Sequence, residues 1–466
     1  MKEWQRRDGW ILGGFVVATG LFLFFNLEAR SLENHDYLRY AEIAREMIRS
    51  GDWVVPHLNG SIFIDKPPLL FWLIAIPSSL YGTVTPLIAR LPSAFSAWFG
   101  LIVMFLWAKK VYGTSRAGLI ASGILFSSYQ YFSQGRLAKT DMLLCLFILL
   151  CLYLFFLGHG ESGKRRTLFH SLSFLSMGLA VLTKGPFGFL IPVLMIAIFL
   201  IKERQSGIWV SKGFFLGYAI LAFMVLFWII PFIHRVGWEE CIALVRGSHI
   251  LTRRAPAYFY LIEIWGQFFP WSVVLPFLFL DLWKRRNGIW RSEESLFLLW
   301  FLLLFILLTL FNYRASRYLL PALPPLAFLI AGAWRRKLRY FLVPSLVALC
   351  VWHGVEYRWA RRDVSYSPGR VLAGELKPLL GESKLFGYRL DDSTAEELNF
   401  YLDPVVPIPL LNKSEAPVAR GLILMSKKVY RKVQGEGKGS WVLVKEFSYK
   451  KGKLVLVSHE TGLGGK

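Results

Sequence analysis

The stretch WILGGFVVATGLFLFFNLEARSLENHDYLRYAEIAREM, residues 10–47, sets two opposite patterns side by side. Residues 10–27 carry no charge, and a helix needs about 20 such residues to cross a hydrocarbon core of about 30 Å. Residues 33–47 then gather Asp36, Arg39, Glu42, Arg45 and Glu46 just beyond that run. The first half makes this a membrane protein if the pattern recurs. The second half raises the question of what the charges do there.

The pattern recurs throughout. The chain has 466 residues, 55% hydrophobic and 16% aromatic, too apolar for a soluble domain of that length. Long apolar runs predict spans near 9–27, 86–108, 116–133, 142–158, 167–183, 186–201, 213–234, 262–283, 295–311, 318–334 and 340–355. The expected fold class is an all-α polytopic membrane protein of about eleven transmembrane helices. No internal repeat marks an inverted-repeat transporter.

A net charge of +23 would suit a nucleic-acid binder, but its distribution does not. Basic clusters at Lys2–Arg7, Lys109–Arg116, Lys164–Arg166, Lys202–Lys212, Lys284–Arg291 and Arg335–Arg339 fall at every second loop, as the positive-inside rule requires. No nucleic-acid partner is therefore expected. The N-terminus is assigned to the cytoplasm and residues 33–47 to the outside. Residues 1–27 resemble a signal peptide, but FFNLEARS contains no small-x-small cleavage site, so an uncleaved first span is expected. Cys145, Cys151 and Cys350 fall in predicted spans and Cys241 in a loop, which excludes a disulfide framework.

Composition changes after residue 356. SWVLVKEFSY and KLVLVSHE flank Lys450–Lys451–Gly452 and predict a hairpin. DDSTAEELNFYL predicts a short helix with a capping box of Ser393 and Glu396. GEGKGS is a flexible loop, with no strand–helix context for a nucleotide motif. The expected organisation is a membrane domain, 1–355, with an external amphipathic loop 28–85, followed by a small extracytoplasmic α/β domain, 356–466.

The outward loops carry a distinct polar set: Asp36, Arg39, Asp65, Lys66, Asp141, Lys184, the stretch His249–Arg254, Arg314 and Arg317. Several stand at span boundaries while span interiors are nearly free of charge. Polar groups at membrane depth are costly and face a cavity or a partner. The combination favours a site at the outer face over a conduction path.

Residues 35–50 have helical spacing, with Tyr37, Tyr40, Ala41, Ala44, Met47 and Ile48 on one side and Asp36, Arg39, Glu42, Glu46 and Arg49 on the other. This predicts an amphipathic helix along the interface, with Asp36 at its start as a cap or a working carboxylate, and Glu42, Glu46 and Arg49 as surface charges. In FIDKPPLLFW the two prolines hold Asp65 and Lys66 at a defined depth, as a simple ion pair or with Lys66 on a lipid phosphate. SHILTRR reads as a basic loop for anionic lipid or as part of the same site. No P-loop, H-E-x-x-H, nucleophile elbow or D-x-D competes.

HDYLRYAEIAREMIRSGDWVVPHLNGSIFIDKPPLLFWL resembles the first external loop of polyprenyl-phosphate-sugar-dependent transferases, a family that includes the bacterial aminoarabinose transferases of lipid A. Its members share their membrane architecture, the GT-C type, with protein O-mannosyltransferases. RLAKTDMLL, LTKGPFGFLIPVL, SHILTRRAPAYFYL…PWS and RYLLPALPPLAFL match in family order, over roughly the first 330 residues. The resemblance implies an inverting glycosyl transfer from a polyprenyl (undecaprenyl) phosphate donor to a glycolipid, glycan or protein acceptor. It implies Asp36 and Asp141 as catalytic, and Lys66, Arg254 and Tyr318 as holding the donor phosphate. Arg39, Tyr40, Lys184 and Arg253 would line the cavity, and Asp65 with His249 would bind a divalent metal such as zinc. The chain departs from the family in having Asp36–Tyr37 for the usual Asp-Glu, and Asp65 for the usual Glu before the KPP motif. A flippase and a non-catalytic binder of lipid-linked sugars are the competing classes. The first would need polar residues along a path through the bundle, and the second would not need Asp36.

Overall fold

The computed structural model describes residues 2–29, 32, 35–247, 256–289, 293–311, 314–334, 337–365, 368–381, 383–402, 408–411, 421–435, 440–450 and 452–460. Each apolar segment expected from sequence is helical, because a lone helix satisfies its own backbone and needs no polar surroundings. In chain order the helices are α1 (Lys2–Phe24), α2 (His35–Ser50), α3 (Leu69–Tyr81), α4 (Pro86–Tyr112), α5 (Ser115–Ser127), α6 (Tyr129–Gly135), α7 (Thr140–His159), α8 (Gly163–Lys184), α9 (Phe187–Lys202) and α10 (Lys212–Val236). There follow α11 (Trp238–Gly247), α12 (Phe259–Gln267), α13 (Leu275–Lys284), α14 (Arg286–Ile289), α15 (Glu294–Leu310), α16 (Leu323–Trp334), α17 (Arg339–Ser365), α18 (Pro368–Leu380), α19 (Asp392–Leu402) and α20 (Lys427–Gly435).

Among the described residues, five helical stretches are long and apolar enough to cross a membrane: Pro86–Tyr112, Thr140–His159, Lys212–Val236, Ser316–Trp334 and Arg339–Arg358. A sixth is the pair Phe259–Gln267 and Trp271–Lys284, bent by 115° where one straight span was expected. Shorter apolar helices add Asp8–Phe24, Leu69–Tyr81, Phe187–Lys202 and Glu294–Leu310. The run 116–133 is divided at Ser128, whose extended backbone (ψ 134) separates α5 from α6. Cys241, expected in a loop, lies in α11, and α17 runs on through residue 356 without a break. The apolar side of α10 stays open, with Phe215, Phe223, Phe227 and Ile230 at 58–68% exposure. An apolar surface of that extent needs an apolar surrounding.

The C-terminal region forms a five-stranded sheet from β3 (Leu385–Tyr388), β4 (Leu410–Leu411), β5 (Leu422–Ser426), β6 (Ser440–Tyr449) and β7 (Gly452–Glu460), in the order β4-β3-β5-β7-β6. β1 (His57–Leu58) and β2 (Ser61–Ile62) form a separate small hairpin. β6 and β7 are the antiparallel hairpin expected from sequence, while β3 pairs in parallel with β4 and β5. Leu372, Leu376 and Leu398 of α18 and α19 pack against Leu424 and Leu456 of the sheet. Tyr430 and Val433 of α20 pack with Ile423 and Val457. The expected capping box is replaced by a cap two residues earlier. Asp391 accepts from the Thr394 amide (3.1 Å) and the Thr394 hydroxyl (2.7 Å), which releases Glu396 for a contact elsewhere.

That contact corrects the expected surface role of α2. Its apolar side is buried as its spacing implies, with Ala41 and Ala44 at 0%. Its other side is not a free surface, because α19 covers it. Arg45 donates to the carbonyls of Phe400 (2.9 Å) and Asn399 (2.6 Å), stands over the Phe400 ring and pairs with Glu42. Glu42 is only 2% exposed. Glu46 accepts from the amides of Asn59 (2.5 Å) and Gly60 (3.2 Å), closing the β1–β2 turn.

Burial pushes the Glu42 carboxyl up to about 7 against the pull of Arg45. A carboxyl raised on folding stabilises fully below its unfolded value, and that contribution is lost as pH rises through about 7. Glu42→Gln should therefore flatten the fall in thermal midpoint between pH 4.5 and about 7. Parallel pH profiles for the two proteins would refute it.

Candidate functional site

Helix ends concentrate the polar chemistry on one side of the bundle. Asp141 lies in the first turn of α7, where the helix dipole favours a carboxylate. Lys184 is the last residue of α8, which ends at Gly185 with φ +64°, a backbone few other residues adopt. The dipole at a helix C-terminus favours a cation. α7 and α8 pack as neighbours, and the two side chains meet as a buried ion pair.

Other elements add to that pair. The 3₁₀ turn Ser316–Ala322 leads into α16 and brings Arg317 to 3.8 Å from the Asp141 carboxylate. It also puts the Tyr318 ring beneath the Lys184 ammonium (4.3 Å) and the Arg317 guanidinium (5.5 Å). Lys66 approaches from the loop before α3, within electrostatic reach of Lys184, and donates to the Asp65 carbonyl at 2.8 Å. Lys139 acts on Asp141 electrostatically, and its ammonium lies 4.9 Å from the Tyr37 ring centre. Its backbone is fixed by Ser93, whose hydroxyl donates to the Lys139 carbonyl (3.0 Å) and accepts from its amide (3.3 Å).

Of the residues singled out from sequence, Lys66, Asp141, Lys184 and Tyr318 come together. Asp36 falls in the first turn of α2, next to the Tyr37 that contacts Lys139; its side chain lies outside the described part. Tyr40 is buried against Phe71 of α3. Arg39 turns toward the C-terminal region, 3.4 Å from Glu396 and over the Phe63 ring. Asp65 is exposed, and His249, Arg253 and Arg254 lie outside the described residues. Among the described residues no group of three or more His, Cys, Asp or Glu gathers as metal ligands would.

Two members were not singled out as site residues. Lys139 was legible as the residue two before Asp141 in RLAKTD. Arg317 was noted only as an outward charge, although it adjoins Tyr318. Among the described residues, Lys66, Lys139, Lys184 and Arg317 outnumber Asp141 and Asp65, so the cluster carries surplus positive charge suited to a phosphate.

The fold is the GT-C fold of membrane-embedded glycosyltransferases. It superposes on ArnT from Cupriavidus metallidurans in the apo state with a TM-score of 0.78 at 20% identity, covering 99% of this chain and 100% of that one. The same protein bound to undecaprenyl phosphate gives a TM-score of 0.76 at 20% identity, covering 98% and 99%. The dolichyl-phosphate-mannose-protein mannosyltransferase family matches residues 24–241. Undecaprenyl phosphate-alpha-4-amino-4-deoxy-L-arabinose arabinosyl transferase 2 of Pseudomonas fluorescens is 29% identical over 332 residues, covering 70% of this chain and 56% of that one. Transferase 1 of Sodalis glossinidius is 29% identical over 400 residues, covering 80% and 70%. An uncharacterized protein of Aquifex aeolicus is 27% identical over 320 residues, covering 68% and 62%. The chain spans 56–62% of the length of the first of these relatives. The chain is thus similar in fold to ArnT and in sequence to transferases named for undecaprenyl-phosphate-linked or dolichyl-phosphate-linked sugars.

Breaking a buried pair leaves a charge without its partner, at about 3–5 kcal/mol, whereas replacing both members is far milder. Lys184→Met and Asp141→Leu should each lower the thermal midpoint in detergent, and the double variant should lose less than the sum. Additive losses would mean that the pair is not coupled.

Proposed function

We propose that the protein is an integral-membrane glycosyltransferase that moves a sugar from a polyprenyl phosphate to an acceptor at the outer face of the inner membrane. The observation that carries this is the cationic cluster of Lys66, Lys139, Lys184 and Arg317 around Asp141 and Tyr318. In the transfer an acceptor oxygen attacks the anomeric carbon, and the bond from that carbon to the phosphate oxygen breaks. The donor phosphate is a singly charged diester and leaves as a monoester, which gains negative charge as the bond opens. Fixed cations interact more strongly with that developing charge than with the ground state, which lowers the barrier.

Lys66 and Arg254 hold the donor phosphate, and the Tyr318 hydroxyl donates to it. Asp36, in the first turn of α2, takes the proton from an acceptor hydroxyl. Asp141 orients Lys184 within the cavity. Asp65 and His249 are proposed as an oxygen and a nitrogen ligand for a divalent ion, which would add positive charge near the phosphate; no step above depends on it. Arg39, Tyr40 and Arg253 complete the proposed cavity wall.

The proposed topology has eleven crossings, a cytoplasmic N-terminus, and residues 356–466 as an outer domain. The packing of α19 on α2 supports an odd number, since it requires both to lie on the same side. Under that topology the starts of α2, α7 and α16 and the end of α8 all lie outside. A bundle with its charges at one set of helix ends supports surface catalysis over conduction.

Orientation is checked with a membrane-impermeant thiol reagent on intact cells in a Cys241→Ser, Cys350→Ser background. Ser61→Cys should be labelled and Ser162→Cys should not; labelling of Ser162→Cys would overturn the outer-face site. With labelled polyprenyl-phosphate sugars, Asp36→Asn should slow transfer about 10²–10⁴-fold with donor binding kept. Normal turnover in that variant would reduce Asp36 to a helix cap. Lys66→Ala should weaken donor binding by roughly tenfold to a hundredfold, from about 1.5–3 kcal/mol per charge-assisted bond. Unchanged donor affinity would remove Lys66 from the phosphate site.

A further inference from the structure

Lys66 reaches the cationic cluster from a short segment that the C-terminal region holds at two points. The first is the turn between β1 and β2. There the Asn399 side chain of α19 donates to the Asn59 side chain at 2.6 Å, while Glu46 of α2 accepts from the Asn59 and Gly60 amides. Asn59 stands at φ 54°, a left-handed conformation that asparagine tolerates better than most residues. The second point is Phe63, whose amide donates to the Pro56 carbonyl at 2.8 Å and closes the hairpin. Its ring meets Phe71 of α3 edge-on (5.9 Å) and lies beneath the Arg39 guanidinium (5.3 Å). Arg39 is in turn 3.4 Å from Glu396 of α19, whose side chain is only 4% exposed.

Little freedom is left beyond Phe63. Ile64 to Pro68 lead directly into α3, whose first residues Leu69 and Leu70 are buried. Pro67 and Pro68 fix their own φ angles and bias Lys66 toward an extended backbone. The Lys66 backbone is therefore placed by α3 on one side and by Phe63 and the hairpin on the other. A shift of Phe63 or of the turn moves the ammonium, and a hydrogen bond to phosphate weakens steeply with such a displacement.

We propose that Glu396 and Asn399 are positioning residues for the donor phosphate. Glu396 acts through Arg39 and Phe63, Asn399 acts through Asn59, and both converge on Lys66. Neither needs to touch the substrate. The C-terminal region thereby sets the affinity of the membrane domain for a polyprenyl phosphate. The inference rests on the assignment of Lys66 to that phosphate, and its test separates the two.

Binding of undecaprenyl phosphate is measured on the full-length protein in nanodiscs. Glu396→Gln removes the charge and keeps the volume. Asn59→Gly keeps the left-handed turn, removes the bond to Asn399, and serves if Glu396→Gln does not fold. Each should weaken binding by about threefold to tenfold, within the range of coupling between residues in contact. In a Lys66→Ala background neither should weaken it further. Unchanged affinity in either folded variant would overturn the proposal. So would the same loss with and without Lys66, since a general loosening of the fold needs no lysine there. A Lys66→Ala protein that binds normally would instead remove Lys66 from the phosphate site. Positioning is then read without ligand, by acylation of Lys66 with an amine reagent and mass spectrometry. Lys164, at the opposite end of α8 from Lys184, is the internal reference. Both variants should raise the reactivity of Lys66 relative to Lys164, and an unchanged ratio would overturn the positioning role.

Discussion

The ion pair between Asp141 and Lys184 joins the first turn of α7 to the last turn of α8. It answers a constraint that the whole bundle obeys. Hydrocarbon surroundings admit helices but not unpaired charges, so charge collects where helices begin and end. Once a carboxylate and an ammonium are matched there, neighbouring groups find a fixed platform. Arg317 and Tyr318 complete it from the turn before α16, and Lys139 from the turn before α7. Both turns carry backbone polar groups of their own. The Gln130 side chain donates to the Ser316 carbonyl at 2.7 Å, and Ser93 brackets Lys139, so the cations rest on well-satisfied backbone.

The polar side of α2 shows how sequence distance limits what can be read locally. Spacing alone divides residues 35–50 into two faces, and that division is correct for Ala41, Ala44 and Met47. It assigns Glu42 to solvent because nothing nearby in the chain would cover it. The cover comes from Phe400 and Asn399, more than three hundred residues on. Glu396 was equally misread as half of a local cap, because Asp391 supplies the cap and Glu396 faces Arg39 instead. Local rules find where a carboxylate can be satisfied, while the fold decides where it is.

The site was more legible than this contact, for a physical reason. Asp141, Lys184 and Tyr318 stand at helix boundaries, and boundaries are visible as the edges of uncharged runs. That positions them to within about a turn along the helix axes and at one end of the bundle, though not around the bundle axis. Arg317 was overlooked because a charge beside an apolar run is ordinary at any helix end. Its role depends on the 3₁₀ turn that brings it within reach of Asp141 from another part of the chain.

Parts of the chain far apart in sequence meet at α2, and this joins them into one mechanical unit. Asn399 donates to Asn59 at 2.6 Å, Arg45 grips the carbonyls at the end of α19, and Arg235 of α10 reaches Asp52 at 2.7 Å. The second half of α2 and the loop after it are therefore braced by elements distant in sequence. Bracing of the helix would serve the role proposed for Asp36, since a group held in place before a reaction spends nothing on ordering during it. The C-terminal sheet contributes to the site through α19 and α2 without contributing a side chain to the cationic cluster described here. The packing of α19 on α2 couples the stability of the C-terminal region to the geometry of the helix that carries Asp36.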